Sequence, residues 1–262
     1  VNYQNFDYCV DAQIARITIS REKAFNSIDL ESARELCDIV NRCGSDRSVR
    51  AVIITGAGSK AFCAGGDVAS FAAQPETVDL LIKEITGYLH QAISRLAWMD
   101  APVIAAVNGV AAGAGLSLAA ACDLAIAADT AVFTSAYTQI GLTPDGSATY
   151  YLPRLIGRRR AMELFLTNRV LKAPEALEWG LVNRVVPAAE LSESVDALAM
   201  QLARGATRAM GGVKKLLLLS ANDSLESQME RETRQIAELS RSADGLEGVK
   251  AFVEKRKPAF GG

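Results

Sequence analysis

The chain has 262 residues, 50% of them apolar and 22% charged, which is enough to bury a large core and too hydrophobic for a disordered polymer. A formal charge of −2 and a sequence pI near 5.6 exclude a general electrostatic footprint for nucleic acid, so any anionic ligand must be held by a local cluster. The five cysteines (Cys9, Cys37, Cys43, Cys63 and Cys122) form no C-x-x-C pair and have no histidine nearby, which argues against a zinc site and for reduced, mostly buried thiols.

The polar start Val1-Asn2-Tyr3-Gln4-Asn5 lacks the basic and apolar regions of a secretory signal, so a reducing, cytoplasmic setting is expected. The last residues, Ala259-Phe260-Gly261-Gly262, are no peroxisomal address. Residues 15–19 read as a strand, and 29–42 as a helix capped by Asp29. Residues 51–55 form a continuous apolar run suited to a strand buried on both faces, closed by the turn signal Gly56-Ala57-Gly58-Ser59. The spacing of Leu81, Ile85, Leu89, Ile93 and Leu96 predicts a helix over 80–99 with one apolar face.

No charge interrupts residues 102–122, yet a membrane span is not expected. Asn108 and the glycines at 109, 113 and 115 divide the stretch into a strand at 103–107, a turn and a small-residue helix from about Gly113. A further strand follows at 124–127. Arg158 to Arg160, after Gly157, is one candidate cluster for an anionic ligand, with a solvated helix start as the plainer explanation. Beyond Pro187 only helical patterns remain, at 191–204, 206–219 and 225–240. The recurring strand, helix, strand order places the chain in the α/β class with mainly parallel pairing. A boundary is expected near residue 200, separating a core (1–200) from a helical C-terminal region (201–262).

Two segments carry small residues beyond what packing alone requires: Phe62-Cys63-Ala64-Gly65-Gly66-Asp67, and Asn108 through Gly115. Both follow buried strands. Glycine and alanine let a ligand approach the backbone, and a helix starting near Gly113 would direct unpaired N–H groups and a positive dipole at it. Two such donors make an oxyanion hole; tight turns and close helix packing are the plainer explanation. Gly56-Ala57-Gly58-Ser59-Lys60-Ala61 fits a dinucleotide fingerprint, G-x-G-x-x-A. It leads into a glycine-rich loop instead of a helix, and Glu76 lies in a polar, proline-containing stretch, so that reading fails.

With these loops in view, the sequence resembles the crotonase (enoyl-CoA hydratase/isomerase) superfamily from about residue 10 onward. Phe62 to Asp67 is similar to that family's first oxyanion loop and residues 105–124 to its second. Ile140-Gly141-Leu142-Thr143-Pro144-Asp145 is similar to its acid/base loop, and residues 252–260 to its closing helix. The resemblance implies a spiral of ββα repeats with a C-terminal helical trimerisation region, assembled as a homotrimer or a dimer of trimers. It also implies an acyl-CoA substrate, with no metal or redox cofactor beyond the CoA moiety itself.

By the same resemblance, the N–H groups of Gly66 and Ala114 match the donors to the thioester oxygen. Arg21 and Lys23 match a basic loop for the CoA phosphates, Ala64 a backbone contact to adenine, and Asp67 and Val68 the neighbouring CoA-binding positions. Glu22 replaces a usual proline there. The two glutamates of family hydratases correspond to Ser117 and Tyr137, neither of which is a carboxylate base at neutral pH, so hydration by a glutamate pair is disfavoured. Asp145 matches the aspartate of the phenylacetate-type isomerases and of 4-chlorobenzoyl-CoA dehalogenase. One carboxylate suffices to move a double bond, which makes an isomerase the leading expectation, with Asp145 acting alone as acid/base. The alternatives are a dehalogenase, with Asp145 as nucleophile and His90 activating water, an enoyl-CoA hydratase, and an acyl-CoA-binding protein without chemistry. Taken as a core residue between Leu89 and Ile93, His90 would be partly buried; the hydroxyl of Tyr137 could reach Asp145.

Overall fold

The computed structural model describes residues 2–261. The chain enters through a hairpin of β1 (Phe6–Asp11) and β2 (Ile14–Ile19), paired antiparallel. Its two turn residues, Ala12 and Gln13, sit at φ 47° and 67°, the left-handed pair that matches strand twist. The turn carries no Asn-Gly or Asp-Gly signal, which is why β1 escaped the sequence reading. The expected strand at 15–19 is the centre of β2.

The helix expected from residue 29 is α1 (Leu30–Ser45). Asp29 caps it in a capping box, accepting from the Ser32 N–H while the Ser32 hydroxyl accepts from the Asp29 N–H. Its apolar face, including Ala33, Leu36 and Val40, is fully buried.

From there the chain winds as a spiral. β3 (Ala51–Gly56) and β4 (Ala61–Cys63) lead into α2 (Val68–Ala72) and the long α3 (Val78–Trp98). β5 (Val103–Val107) and β6 (Val110–Ala112) lead into α4 (Ala114–Ala121), and β7 (Leu124–Ala128) and β8 (Val132–Thr134) make the next turn. Each turn gives one strand to each of two sheets. In the first sheet β2, β3, β5 and β7 run parallel, with Val52 opposite Val103 and Ile104 opposite Leu124; in the second, β4, β6 and β8 do. The continuous apolar runs of β3 and β5 have both faces covered, as parallel strands require. A β-carbon on Gly115 would stand 2.0 Å from the Cys63 carbonyl oxygen, so α4 can lie against β4 only because residue 115 lacks a side chain.

After the spiral come α5 (Ala148–Ile156), α6 (Arg158–Thr167), β9 (Leu171–Lys172), α7 (Ala173–Trp179) and β10 (Arg184–Val186), which pairs parallel to β7. The start of α6 is solvated as expected, with Arg160 lying over the Trp179 ring. α8 (Leu191–Ala203) covers β3, β5 and β7, and therefore belongs to the core. α9 (Thr207–Ser220), α10 (Leu225–Leu239) and α11 (Ala243–Val253) complete the chain.

The C-terminal helices are fastened to the spiral. Lys214 on α9 reaches inward to Asp123 at 2.8 Å and to the carbonyls of Leu96 and Ala101. Burial pushes the Asp123 carboxyl up and the Lys214 ammonium down, and their mutual attraction opposes both shifts. Further out, Leu225, Ile236, Val249 and Phe252 are exposed. All five cysteines are free; Cys37, Cys43 and Cys63 are buried and Cys9 is exposed. Among the described residues no helix is long and apolar enough to cross a membrane.

Candidate active site

The two glycine-rich loops meet. A β-carbon on Gly65 would lie 3.0 Å from the Ala112 carbonyl oxygen and 3.4 Å from the Ala114 nitrogen, so the loop after β4 touches the start of α4. Residues 28 and 66 form a parallel bridge in which Ile28 donates to the Gly65 carbonyl and Asp67 donates to the Ile28 carbonyl. Peptide groups alternate in direction along an extended segment, so the Gly66 N–H faces away from Ile28. Ala114 is the first residue of α4, where an N–H has no intrahelical acceptor. Neither N–H has an acceptor among the described residues. The loops thus bring together two unpaired donors, one of them at the positive end of a helix dipole, and can stabilise a developing oxyanion.

Asp145 lies in the segment before α5 and is half-buried. Its Oδ1 accepts a 2.6 Å hydrogen bond from the Tyr137 hydroxyl, while no donor among the described residues reaches Oδ2. Burial foremost, and then the neighbouring Asp145 charge, pushes the Tyr137 phenol above its ordinary range, so it stays protonated and keeps donating. The fully buried Ser117 hydroxyl lies 3.0 Å from the Tyr137 hydroxyl, 3.0 Å from the Asp145 carbonyl oxygen and 3.1 Å from that of Gly113. Its single hydrogen can serve one of these at a time. Asp145 is therefore the only carboxylate in this network among the described residues, but it does not stand alone: Tyr137 fixes one oxygen, and the other has no protein donor among them.

The turn holding Asp145 is tight. Gly146 has φ 57°, and a β-carbon there would meet the Ser117 β-carbon at 2.9 Å, so glycine is required on both counts. The Gly146 N–H donates to His90 Nε2 at 3.1 Å. His90 is exposed, not partly buried as its apolar neighbours suggested, because it lies on the edge of the face that buries Leu89 and Ile93. With Nε2 accepting from the backbone, that nitrogen holds the loop and its lone pair is not directed at a water.

The nucleotide-side positions divide differently from the sequence expectation. The Arg21 guanidinium pairs with Asp29 at 2.7 Å and Asp67 at 2.9 Å and also donates to the Ser27 carbonyl. It is a clamp between the β2–α1 loop and the first oxyanion loop, drawn inward instead of presented to a phosphate. Asp67 is engaged by that clamp and caps α2. Lys23 is exposed and forms no ion pair among the described residues; it borders an open cavity of about 520 Å³ that also carries Glu22 and Asp7. The Ala64 N–H is taken by the Phe25 carbonyl, leaving its own carbonyl without a donor among the described residues, and Val68 is exposed. Among the described residues no group of three or more His, Cys, Asp or Glu side chains is placed to hold a metal ion.

Three contacts had no signal in the sequence: the Arg21 clamp, the His90 bond to Gly146, and the Phe71 ring against Gly66. Each joins a loop to another loop or to a helix, His90 lying on α3 and Phe71 on α2.

Comparison with known proteins places the chain in a family. A family model described as enoyl-CoA hydratase/isomerase matches residues 10–262. A Rhodobacter capsulatus protein named "Probable enoyl-CoA hydratase" is 38% identical over 262 residues, 100% of both chains. The 1,2-epoxyphenylacetyl-CoA isomerase of Escherichia coli is 37% identical over 97% of each chain, and a 4-chlorobenzoyl coenzyme A dehalogenase from an Arthrobacter species is 38% identical over 85% of this chain and 81% of its own. The crystal structure of an enoyl-CoA hydratase from Bacillus anthracis superimposes with a TM-score of 0.92 at 34% identity, covering 98% of this chain and 99% of that one.

Proposed function

The chain belongs to the enoyl-CoA hydratase/isomerase (crotonase) family of enzymes acting on acyl-CoA, and within it we propose an isomerase that moves a double bond, or rearranges a ring, in an enoyl- or ring-containing acyl-CoA. The observation that carries this reading is the single carboxylate of Asp145, held at Oδ1 by Tyr137 and open at Oδ2, with no second carboxylate in its network.

In the proposed reaction the thioester oxygen accepts from the Gly66 and Ala114 N–H groups. Asp145 Oδ2 takes a proton from C2 of a 3-enoyl thioester; the C–H pair moves into the C1–C2 bond as the carbonyl π pair moves onto the thioester oxygen, and the two donors stabilise the dienolate so formed. The same carboxyl group returns the proton to C4, leaving the 2-enoyl product and a regenerated carboxylate. Water addition requires one group to activate water and usually another to deliver a proton. The two side chains bonded to Asp145 offer only hydroxyls, Ser117 buried and Tyr137 kept protonated, which supports isomerisation over hydration.

Dehalogenation would use Asp145 as nucleophile and His90 as the base for water. The bond from the Gly146 N–H to His90 Nε2 supports a holding role for His90 instead. The exposed apolar residues of α10 and α11 support assembly as a trimer or a dimer of trimers, with CoA as the only cofactor moiety required. Turnover of a cis-3-enoyl-CoA tests the central reading: Asp145→Asn should lower kcat by about 10² to 10⁴ with little change in substrate binding, and an unchanged rate would overturn it.

A further inference from the structure

We propose that Phe71 sets acyl specificity by walling the carbon next to the thioester, so that acyl groups branched at that carbon are excluded. This rests on the acyl-CoA reading of the site and goes beyond it to the substrate class.

The argument starts from residue 66. A β-carbon built on Gly66 would stand 2.9 Å from Phe71 Cζ and 3.3 Å from Cε2, inside the contact distance that side chains tolerate. Phe71 thus occupies the space that a side chain at residue 66 would otherwise fill. The β-carbon position is two bonds from the Gly66 nitrogen, so the tip of the ring stands beside the donor that holds the thioester oxygen. Whatever is attached next to that carbonyl must pass the ring.

The ring is supported from behind. α2 has five residues, too few to be stable by itself, but its start is bolted down. Asp67 accepts from the Ser70 N–H, the Ser70 hydroxyl donates to the Asp67 carbonyl at 2.6 Å, and Arg21 joins Asp67 to Asp29. Phe71 is half-buried and packs against the core, so its ring has a side facing the donor and a side held by the protein. A straight methylene next to the carbonyl presents only hydrogens to the side that the ring borders, whereas an α-methyl group adds a carbon on that side.

Saturated thioesters report the wall without requiring chemistry. Calorimetric binding of butanoyl-CoA and 2-methylpropanoyl-CoA should be measured for the parent, Phe71→Ala, Phe71→Leu and the pair Gly66→Ala and Gly66→Ala/Phe71→Ala. The parent should favour butanoyl-CoA by about 10-fold or more, the range one misplaced methyl group gives in a shaped pocket. Phe71→Ala should abolish that preference, with Phe71→Leu between the two. Gly66→Ala alone should weaken butanoyl-CoA binding, and adding Phe71→Ala should restore it, which reports the contact between the two residues, while the lost preference in Phe71→Ala reports the wall itself. Equal binding of both thioesters by the parent, or an unchanged preference in Phe71→Ala, would overturn the role of Phe71 and leave the acyl-CoA reading standing. Failure of the parent to bind either thioester would overturn both.

Discussion

Replacing Tyr137 with phenylalanine removes one atom from the centre of the proposed machinery. The lost contact is a 2.6 Å O–H···O bond to Asp145 Oδ1, a short, charge-assisted bond. Bonds of that kind contribute about 1.5 to 3 kcal/mol. Ser117 keeps its contacts to the carbonyls of Gly113 and Asp145, so no buried hydroxyl is orphaned and the loop should keep its course. Asp145 is only half-buried, and water can replace part of what is lost, so the stability cost should be near the lower figure. If the bond serves to aim Oδ2, most of its value appears in the chemical step. At about 1.4 kcal/mol per decade, kcat should fall roughly 10- to 100-fold while KM barely moves.

The assay is steady-state isomerisation of a cis-3-enoyl-CoA by Tyr137→Phe, Asp145→Asn and the double variant. Tyr137 acts through Asp145, so once the carboxylate is gone its hydroxyl has nothing to aim. The double variant should then be no slower than Asp145→Asn alone. A further 10-fold loss in the double variant would show that Tyr137 touches the reacting atoms itself, and a Tyr137→Phe rate within about twofold of the parent would remove it from the mechanism.

Four other outcomes are expected. Ala114→Pro deletes the second donor at the first position of α4, where proline is compatible with the helix, so the chain should fold and kcat should fall about 10²- to 10³-fold; a fully active variant would refute the donor. His90→Gln can still accept from the Gly146 N–H and should lose less than about fivefold in isomerisation, whereas a mass increase on Asp145 after mixing that variant with 4-chlorobenzoyl-CoA would favour a dehalogenase. Lys214→Met leaves the Asp123 carboxylate without its cation and should cost about 3 to 5 kcal/mol in denaturant unfolding, with Lys214→Met/Asp123→Asn milder because burial opposes both charges. Sedimentation should find trimers or hexamers, since Leu225, Ile236, Val249 and Phe252 need cover, and a monomer at micromolar concentration would refute this.

Local sequence determined much of the frame. The short apolar runs at 51–55 and 103–107, each closed by a turn signal, read as buried strands, and the three- and four-residue spacing from Leu81 to Leu96 read as one face of a helix, because burial on one side imposes the helical period. Asp29 announced the start of α1 because a cap is a contact within four residues. The small residues at 62–67 and 108–115 marked where backbone must meet backbone or ligand. The three-residue strands β4, β6 and β8 were not legible, since they are too short to carry a period and exist through their neighbours. The same limit applies to the site. That Tyr137 bonds Asp145, that Arg21 turns inward to Asp29 and Asp67, and that His90 bonds Gly146 depend on how separate segments of the spiral stack, and that Phe71 closes on Gly66 depends on how α2 folds back on the loop before it. A side chain's reach is a few ångströms, and only the packed structure decides which distant loop lies within it.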